Sequence, residues 1–191
     1  CALPICQEPF KTIFGYATLL AEDGRAMHKS SGNAIEFDEA ADRMGVDVMR
    51  WLYMRARPDD NILFGWHVAD EARRQLLVLW NVYAFFITYA RLTGWTPGDA
   101  PEPAARPAMD RWILSRTAGL AATAGAAMSD YDALGATRAI EAYIDDLSTW
   151  YLRLSRKRFS RNQDAADRSS AFATLHAALL GLTRVMAPIL P

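Results

Sequence analysis

The chain is short of the residues from which self-contained catalytic centres are usually built. Its 191 residues include only two cysteines, Cys1 and Cys6, and three histidines. Two cysteines exclude a four-cysteine zinc site within this segment, and they read as reduced, inert thiols of a cytosolic protein. His67 and His176 have no ligand partner at metal spacing and read as surface or helix-end residues. No Ser/His/Asp triad and no glycine-rich phosphate loop can be identified. Charge of one sign is not in excess either: 21 Lys+Arg against 22 Asp+Glu give a net charge of −1. No global field therefore draws the chain to nucleic acid, and any RNA contact must use a local basic patch. Long apolar runs are missing too. Residues 76–90 carry no charge but fall short of the ~20 apolar residues of a membrane span, contain Asn81 and are flanked by Arg73, Arg74 and Arg91. The sequence therefore predicts no membrane partner. No secretory leader is visible, and the first and last residues read as cuts through a longer protein.

What is present is apolar material in helical spacing. A hydrophobic content of 51% is ample for a packed core. Residues 10–20 are rich in β-formers (Thr12, Ile13, Phe14, Tyr16, Thr18, Leu19) and predict a strand, with a turn at Asp23-Gly24. Two short helices follow, capped by Asp38 and Asp47, with Gly45 between them and Pro58 as the stop. A long helix is expected over 68–92, where Leu76, Leu79, Trp80, Tyr83, Phe86, Ile87 and Ala90 recur at three- and four-residue steps and read as core. The Pro/Gly-rich stretch 94–107 reads as a connector. Three more helices are expected: over 108–128, over 133–159, and one capped by Asp164 that runs toward Pro188. The second should present Ile140, Tyr143, Ile144, Leu147, Trp150, Tyr151 and Leu154 on one broad face. Antiparallel packing of such helices gives a bundle. The fold class is mainly α.

Two places suggest chemistry. Residues 22–33, Glu-Asp-Gly-Arg-Ala-Met-His-Lys-Ser-Ser-Gly-Asn, set Lys29 among small polar residues in a loop between strand and helix. A hydrated ammonium there suits an anionic ligand such as nucleotide phosphates. The second place is Arg153, Arg156, Lys157, Arg158 and Arg161, interleaved with Trp150, Tyr151 and Phe159. Their natural partner is a phosphate backbone; the alternative is pairing with Asp145, Asp146 or Asp164. Trp112 is a weaker candidate for stacking on a base.

Met27, Lys29, Ser30, Gly32 and Asn33 resemble the second signature of class I aminoacyl-tRNA synthetases, Lys-Met-Ser-Lys-Ser followed by a small residue, Gly and Asn. Ala26 and His28 depart from it. Gly45-Val46-Asp47-Val48-Met49-Arg50, Leu79-Trp80-Asn81-Val82-Tyr83, Asp110-Arg111-Trp112-Ile113-Leu114-Ser115-Arg116 and Asp145-Asp146-Leu147-Ser148-Thr149-Trp150-Tyr151 follow in the order found in the isoleucyl branch. The resemblance implies a class I Rossmann-type catalytic domain ending in residues 1–57, a connecting helix and linker in 58–107, and a truncated anticodon-binding bundle in 108–191. It implies Lys29 as the catalytic cation and Met27, His28, Lys29, Ser30 and Ser31 as the ATP-binding loop. Arg25 is adjacent to Ala26 and is a candidate to compensate for the lysine lost there. The partners implied are ATP with Mg²⁺, isoleucine (in a pocket outside this segment) and tRNA(Ile), in the cytoplasm and without DNA. The family's His-Ile-Gly-His signature is absent, so the segment is expected to be catalytically incomplete alone. Alternatives are a valyl-tRNA synthetase segment or a non-catalytic helical tRNA-binding module.

Overall fold

A single short parallel pair organises the first half of the chain. The computed structural model describes residues 10–98, 102 and 105–191; Cys1 and Cys6 lie outside these. Strand β1 (Leu19–Ala21) pairs with β2 (Ile62–Phe64), Leu19 opposite Ile62 and Ala21 opposite Phe64. Parallel strands need a crossover, and α1 (Phe37–Met44) and α2 (Val46–Met54) lie along it. The strand expected over 10–20 thus shrinks to its last residues. Ile13, Phe14 and Tyr16 are exposed, and β-formers hold a strand only where a half-buried sheet surface accepts them. Before β1, the backbone is tied by Ala17 N–H to the Pro58 carbonyl at 2.7 Å and by Thr18 Oγ1 to Asn61 Oδ1 at 3.2 Å. Strand β2 escapes a reading by pattern, because three residues carry no periodicity.

Asp38 and Asp47 do not cap their helices. Glu36 and Gly45 occupy the cap positions without side-chain bonds, and each aspartate sits in the first turn, where its charge favours the positive helix end. Gly45, at φ 88°, both ends α1 and begins α2. The long helix α3 (Trp66–Thr93) is capped by a residue far away in sequence. Glu22 Oε1 accepts from the N–H groups of His67 (2.6 Å) and Val68 (3.1 Å). Of the expected α3 stripe, Leu79 and Ala90 are buried and Leu76, Tyr83 and Phe86 half-buried, but Trp80 (68% exposed) and Ile87 point outward. At helical spacing they lie on the flank of the buried stripe. By length and composition α3 is apolar enough to cross a membrane. Here one side is committed to protein, with Tyr83 Oη bonded to Thr183 Oγ1 and to the Leu179 carbonyl.

The bundle packs α4 (Ala108–Ser129) against α5 (Ala133–Asp145) and α7 (Ala165–Met186). Asp164 caps α7 as expected, accepting from Asp167 N–H at 2.8 Å. The helix expected over 133–159 is interrupted. After α5 comes a π-helical segment, Asp146–Leu152, then α6 (Arg153–Ser155) and a 3₁₀ turn, Arg156–Phe159. Ser148 and Thr149 hydroxyls both donate to the Asp145 carbonyl, at 3.3 and 2.7 Å, a side-chain competition that loosens a helix. Leu147, Tyr151, Ser155 and Phe159 are buried at four-residue steps, a spacing that needs an underwound turn. Trp150 and Leu154 consequently leave the face expected for them and are exposed.

The two halves meet on α2. Thr137 Oγ1 donates to the Met54 carbonyl (2.7 Å), Arg55 pairs with Glu141 (2.8 Å), and Arg50 Nε donates to the Ile189 carbonyl (2.5 Å).

Gly65 lets Glu22 reach its cap, because a Cβ there would lie 2.2 Å from Glu22 Cγ. Gly65→Ala is expected to dislodge the carboxylate and to cost about 1–2 kcal/mol, the usual range for a lost cap, measured by urea unfolding. A variant as stable as the parent would show that Glu22 can cap by another route.

Candidate nucleotide loop and nucleic-acid interface

The Lys29 loop is shaped by its backbone and one amide. After β1 the chain turns at Gly24 (φ 80°), Ala21 N–H donates to the Arg25 carbonyl at 2.8 Å, and Ala26 bridges antiparallel to Leu20. Lys29–Ser31 form one 3₁₀ turn, closed by Gly32 N–H to the Lys29 carbonyl at 3.2 Å. Gly32 adopts φ 66°, a left-handed value that favours glycine. Asn33 then staples both ends: Oδ1 accepts from His28 N–H at 2.9 Å, and Nδ2 donates to the Ala26 carbonyl at 3.0 Å. Sequence reasoning finds Asn33 only as part of a motif. Its position directly after a turn glycine is the available signal for a local amide staple.

The staple leaves the loop's crest in solvent. His28, Ser30 and Ser31 are exposed, and Met27 is half-buried against the core as an anchor. Lys29 is 84% exposed, with Nζ 3.0 Å from the Glu36 carboxylate. Such an exposed pair is worth roughly 0–1 kcal/mol, so the ammonium is readily surrendered to a stronger anion. Arg25, next to Ala26 where the family signature has lysine, carries a carboxylate partner of its own. It is bound to Asp23, Nη2 to Oδ2 at 2.5 Å, and the Arg25 hydrogen bond holds the Asp23 carboxyl below the usual carboxylate range.

A hollow of about 420 Å³ opens beside the loop, with Glu22, Asp23, Glu39, Asn33 and Trp66 in its wall. Lys29 is not among the lining residues. Three carboxylates make this wall unfavourable for phosphate. Among the described residues no three His, Cys, Asp or Glu side chains gather to hold a metal. His67 is exposed, but His176 is not a surface or helix-end residue. It sits in mid-α7, with ring centroids 5.9 Å from Phe86 and 5.7 Å from Trp95, because this α7 face meets α3.

The basic run divides in two. Arg153, Arg156 and Lys157 are exposed, and among the described residues no carboxylate forms an ion pair with them. Arg156 lies over the Phe85 ring at 5.6 Å, and Arg161 donates to the Leu92 carbonyl. Arg158 is different. Its nitrogens reach Asp110 Oδ1 at 2.5 Å, Asp110 Oδ2 at 3.0 Å and Asp167 Oδ1 at 2.9 Å, and its side chain is 17% exposed. A guanidinium so engaged holds the bundle together and is not free to meet phosphate. The expected carboxylate partners are also reassigned, since Asp146 pairs with Arg116 at 2.7 Å and Asp164 caps α7. Trp112 is half-buried against the core, as packing predicts for it.

Asp110 is fully buried and also accepts from Ser170 Oγ (2.8 Å) and Tyr151 Oη (3.2 Å). Burial pushes its carboxyl up, but the Arg158, Ser170 and Tyr151 hydrogen bonds outweigh it and hold the pKa below the ordinary 3.8. Burial raises the Tyr151 phenol, and the Asp110 charge adds to it.

Comparison with known proteins agrees with this layout. The family described as "tRNA synthetases class I (I, L, M and V)" matches residues 4–63, and "Anticodon-binding domain of tRNA ligase" matches residues 110–191. The chain belongs to the class I tRNA synthetases. Its similar curated relatives are isoleucine–tRNA ligases. That of Thermus thermophilus is 39% identical over 185 residues, 95% of this chain and 18% of the relative. That of Deinococcus radiodurans is 39% identical over 187 residues, covering 97% and 17%, and that of Porphyromonas gingivalis 38% over 186 residues. The chain thus spans under a fifth of these relatives' lengths. Among solved structures, the ternary complex of Agrobacterium radiobacter K84 LeuRS with tRNA and LeuAMS shares the fold. Its TM-score is 0.71 at 17% identity, over 95% of this chain and 21% of that one.

Removing one partner of a buried ion pair strands the other, at a cost of about 3–5 kcal/mol. Arg158→Gln is expected to lose about 3 kcal/mol in urea unfolding, at the low end of that range because the arginine is partly solvated. The pH dependence has a fixed sign. Asp110 has a depressed folded pKa, so its contribution is full above the unfolded value of about 3.8 and is lost as pH falls through the lower folded value. Asp110→Asn should therefore be less stable at neutral pH but show a shallower loss of stability below pH 3.8. An unchanged acid limb would remove the linkage from Asp110.

Proposed function

We propose that the chain is the segment of an isoleucine–tRNA ligase that supplies the ATP-phosphate loop and part of the tRNA-binding bundle. The observation that carries this reading is the similarity to isoleucine–tRNA ligases over 95% of the chain, which takes in both the stapled loop and the basic row. The family matches at 4–63 and 110–191 support dividing the chain into the end of a catalytic domain, a connector and an anticodon-binding bundle. In the parent reaction the isoleucine carboxylate attacks the α-phosphorus of ATP, the bond to pyrophosphate breaks, and the adenylate passes its acyl group to tRNA(Ile). Negative charge grows on the leaving pyrophosphate. Lys29, solvated and paired with Glu36, meets that charge in this reading, and so lowers the barrier more than it tightens ATP binding. Ser30, Ser31 and His28 add donors at the same crest. Mg²⁺ accompanying ATP would supply neutralisation of phosphate charge. Arg153, Arg156, Lys157 and Arg161 meet the tRNA backbone in this reading, with Arg158 as their support. Cytoplasmic location belongs to the same reading.

Three measurements test it. In the full-length ligase, Lys29→Ala should slow adenylate formation by about 10²–10³-fold with isoleucine affinity unchanged. Exchange of pyrophosphate into ATP should depend on isoleucine rather than valine. Changing Arg153, Arg156 and Lys157 together to Gln should leave adenylate formation intact and weaken tRNA binding. The log–log salt slope should become shallower by up to ~0.7–0.9 for each phosphate that is no longer neutralised. Normal adenylate formation in the Lys29 variant would remove the lysine from the chemistry. An unchanged salt slope in the triple variant would move the RNA path to another face.

A further inference from the structure

The π-helical segment has a second effect besides burying Tyr151. Leu147, Tyr151, Ser155 and Phe159 face inward at four-residue intervals. A regular helix would have kept Trp150 and Leu154 with the buried series, as the sequence pattern suggests. The underwound turn instead rotates both outward, to 58% and 57% exposure. Trp150, Arg153, Leu154 and Lys157 are all exposed along this stretch, so the indole, an apolar side chain and two cations follow one another within about two turns on its solvent side. π-segments of this kind concentrate at functional sites.

We propose that Trp150, backed by Leu154 and flanked by Arg153 and Lys157, is a stacking platform for an unpaired RNA base, with the two cations on the adjoining phosphates. This deepens, and rests on, the reading of the bundle as tRNA-binding. Charge decides the occupant. An exposed indole alone would suit any apolar surface, but this one lies beside cations that no carboxylate of the described residues pairs with. An apolar protein surface would leave those charges uncompensated, whereas a nucleotide brings a π-face and an anion together. The indole N–H is a donor only, so stacking takes any base and Trp150 contributes affinity rather than sequence choice.

The test uses the full 191-residue chain and the fluorescein-labelled anticodon stem-loop of an isoleucine tRNA, with anisotropy read across a KCl series. Trp150→Leu removes the π-face and keeps an apolar side chain. It should weaken binding by about 5- to 150-fold, the range for loss of one base stack, with the salt slope and melting temperature unchanged. Trp150→Phe should restore most of the affinity. Arg153→Gln with Lys157→Gln should flatten the salt slope instead. A stem-loop with abasic loop positions should bind the wild-type chain and the Trp150→Leu variant equally. If Trp150→Leu binds the intact stem-loop like wild type while the charge variant still flattens the slope, the platform is overturned and the tRNA-binding reading stands. If the wild-type chain shows no salt-dependent binding at all, that reading falls and the platform with it.

Discussion

The bundle depends on one buried carboxylate. Asp110, at the start of α4, has no solvent exposure and is satisfied by Arg158, Ser170 and Tyr151. These partners come from three separate stretches: the 3₁₀ turn, α7 and the π-segment. A buried charge is tolerated only when paired and hydrogen-bonded, so the carboxylate fixes where those stretches can lie. It also decides which cations remain available outside. Arg158 is drawn inward, and its sequence neighbours Arg156 and Lys157 are turned to solvent as a result. A basic row that looks uniform in sequence is thereby sorted into one structural arginine and several solvent-facing cations.

The same sorting reconciles overall neutrality with an anionic partner. Across the chain, arginines are taken by nearby acids or carbonyls: Arg25 by Asp23, Arg57 by Asp59, Arg73 by Asp70 and the end of α1, Arg116 by Asp146. Those pairs largely cancel each other's field, and most are too exposed to add much stability. Arg153, Arg156 and Lys157 are among the described cations without an ion pair, and the ammonium at Lys29 is lightly held. A net charge of −1 thus coexists with local positive spots.

Much of this is legible in the sequence, and the failures have physical causes. Helix positions along α3, α4 and α7 follow from three- and four-residue spacing, because packing one face of a long helix imposes that period. The Asp164 cap and the break near Asp130 follow from local chemistry. The strand expected at 10–20 survives only from Leu19 on, because β-propensity needs a sheet to pack on. The Glu22 cap on α3 is invisible because its donors lie 45 residues away, and Asp38 and Asp47 take dipole positions instead of cap positions. The π-segment escapes because a three-and-four spacing pattern presumes 3.6 residues per turn, while Ser148 and Thr149 draw the Asp145 carbonyl aside. In the candidate site, Lys29 and its loop are readable as a motif. The split within the basic row is not, because it turns on an acid 48 residues from Arg158.

The loop's departures from the family signature also become intelligible. Ala26 contributes its backbone, bridged to Leu20 and held through its carbonyl by Asn33. His28 likewise gives its N–H to the same amide. Neither side chain sets the loop's shape, so replacing lysine and serine at these positions leaves the path of the chain, and with it the placement of Lys29, intact. Gly32 and Asn33 are the positions whose side chains matter to that path, one because its φ of 66° excludes most residues and the other because it makes both staple bonds. The signature residues this chain keeps include the two that shape the loop and the lysine it presents. The two it has changed are those whose side chains the fold does not use.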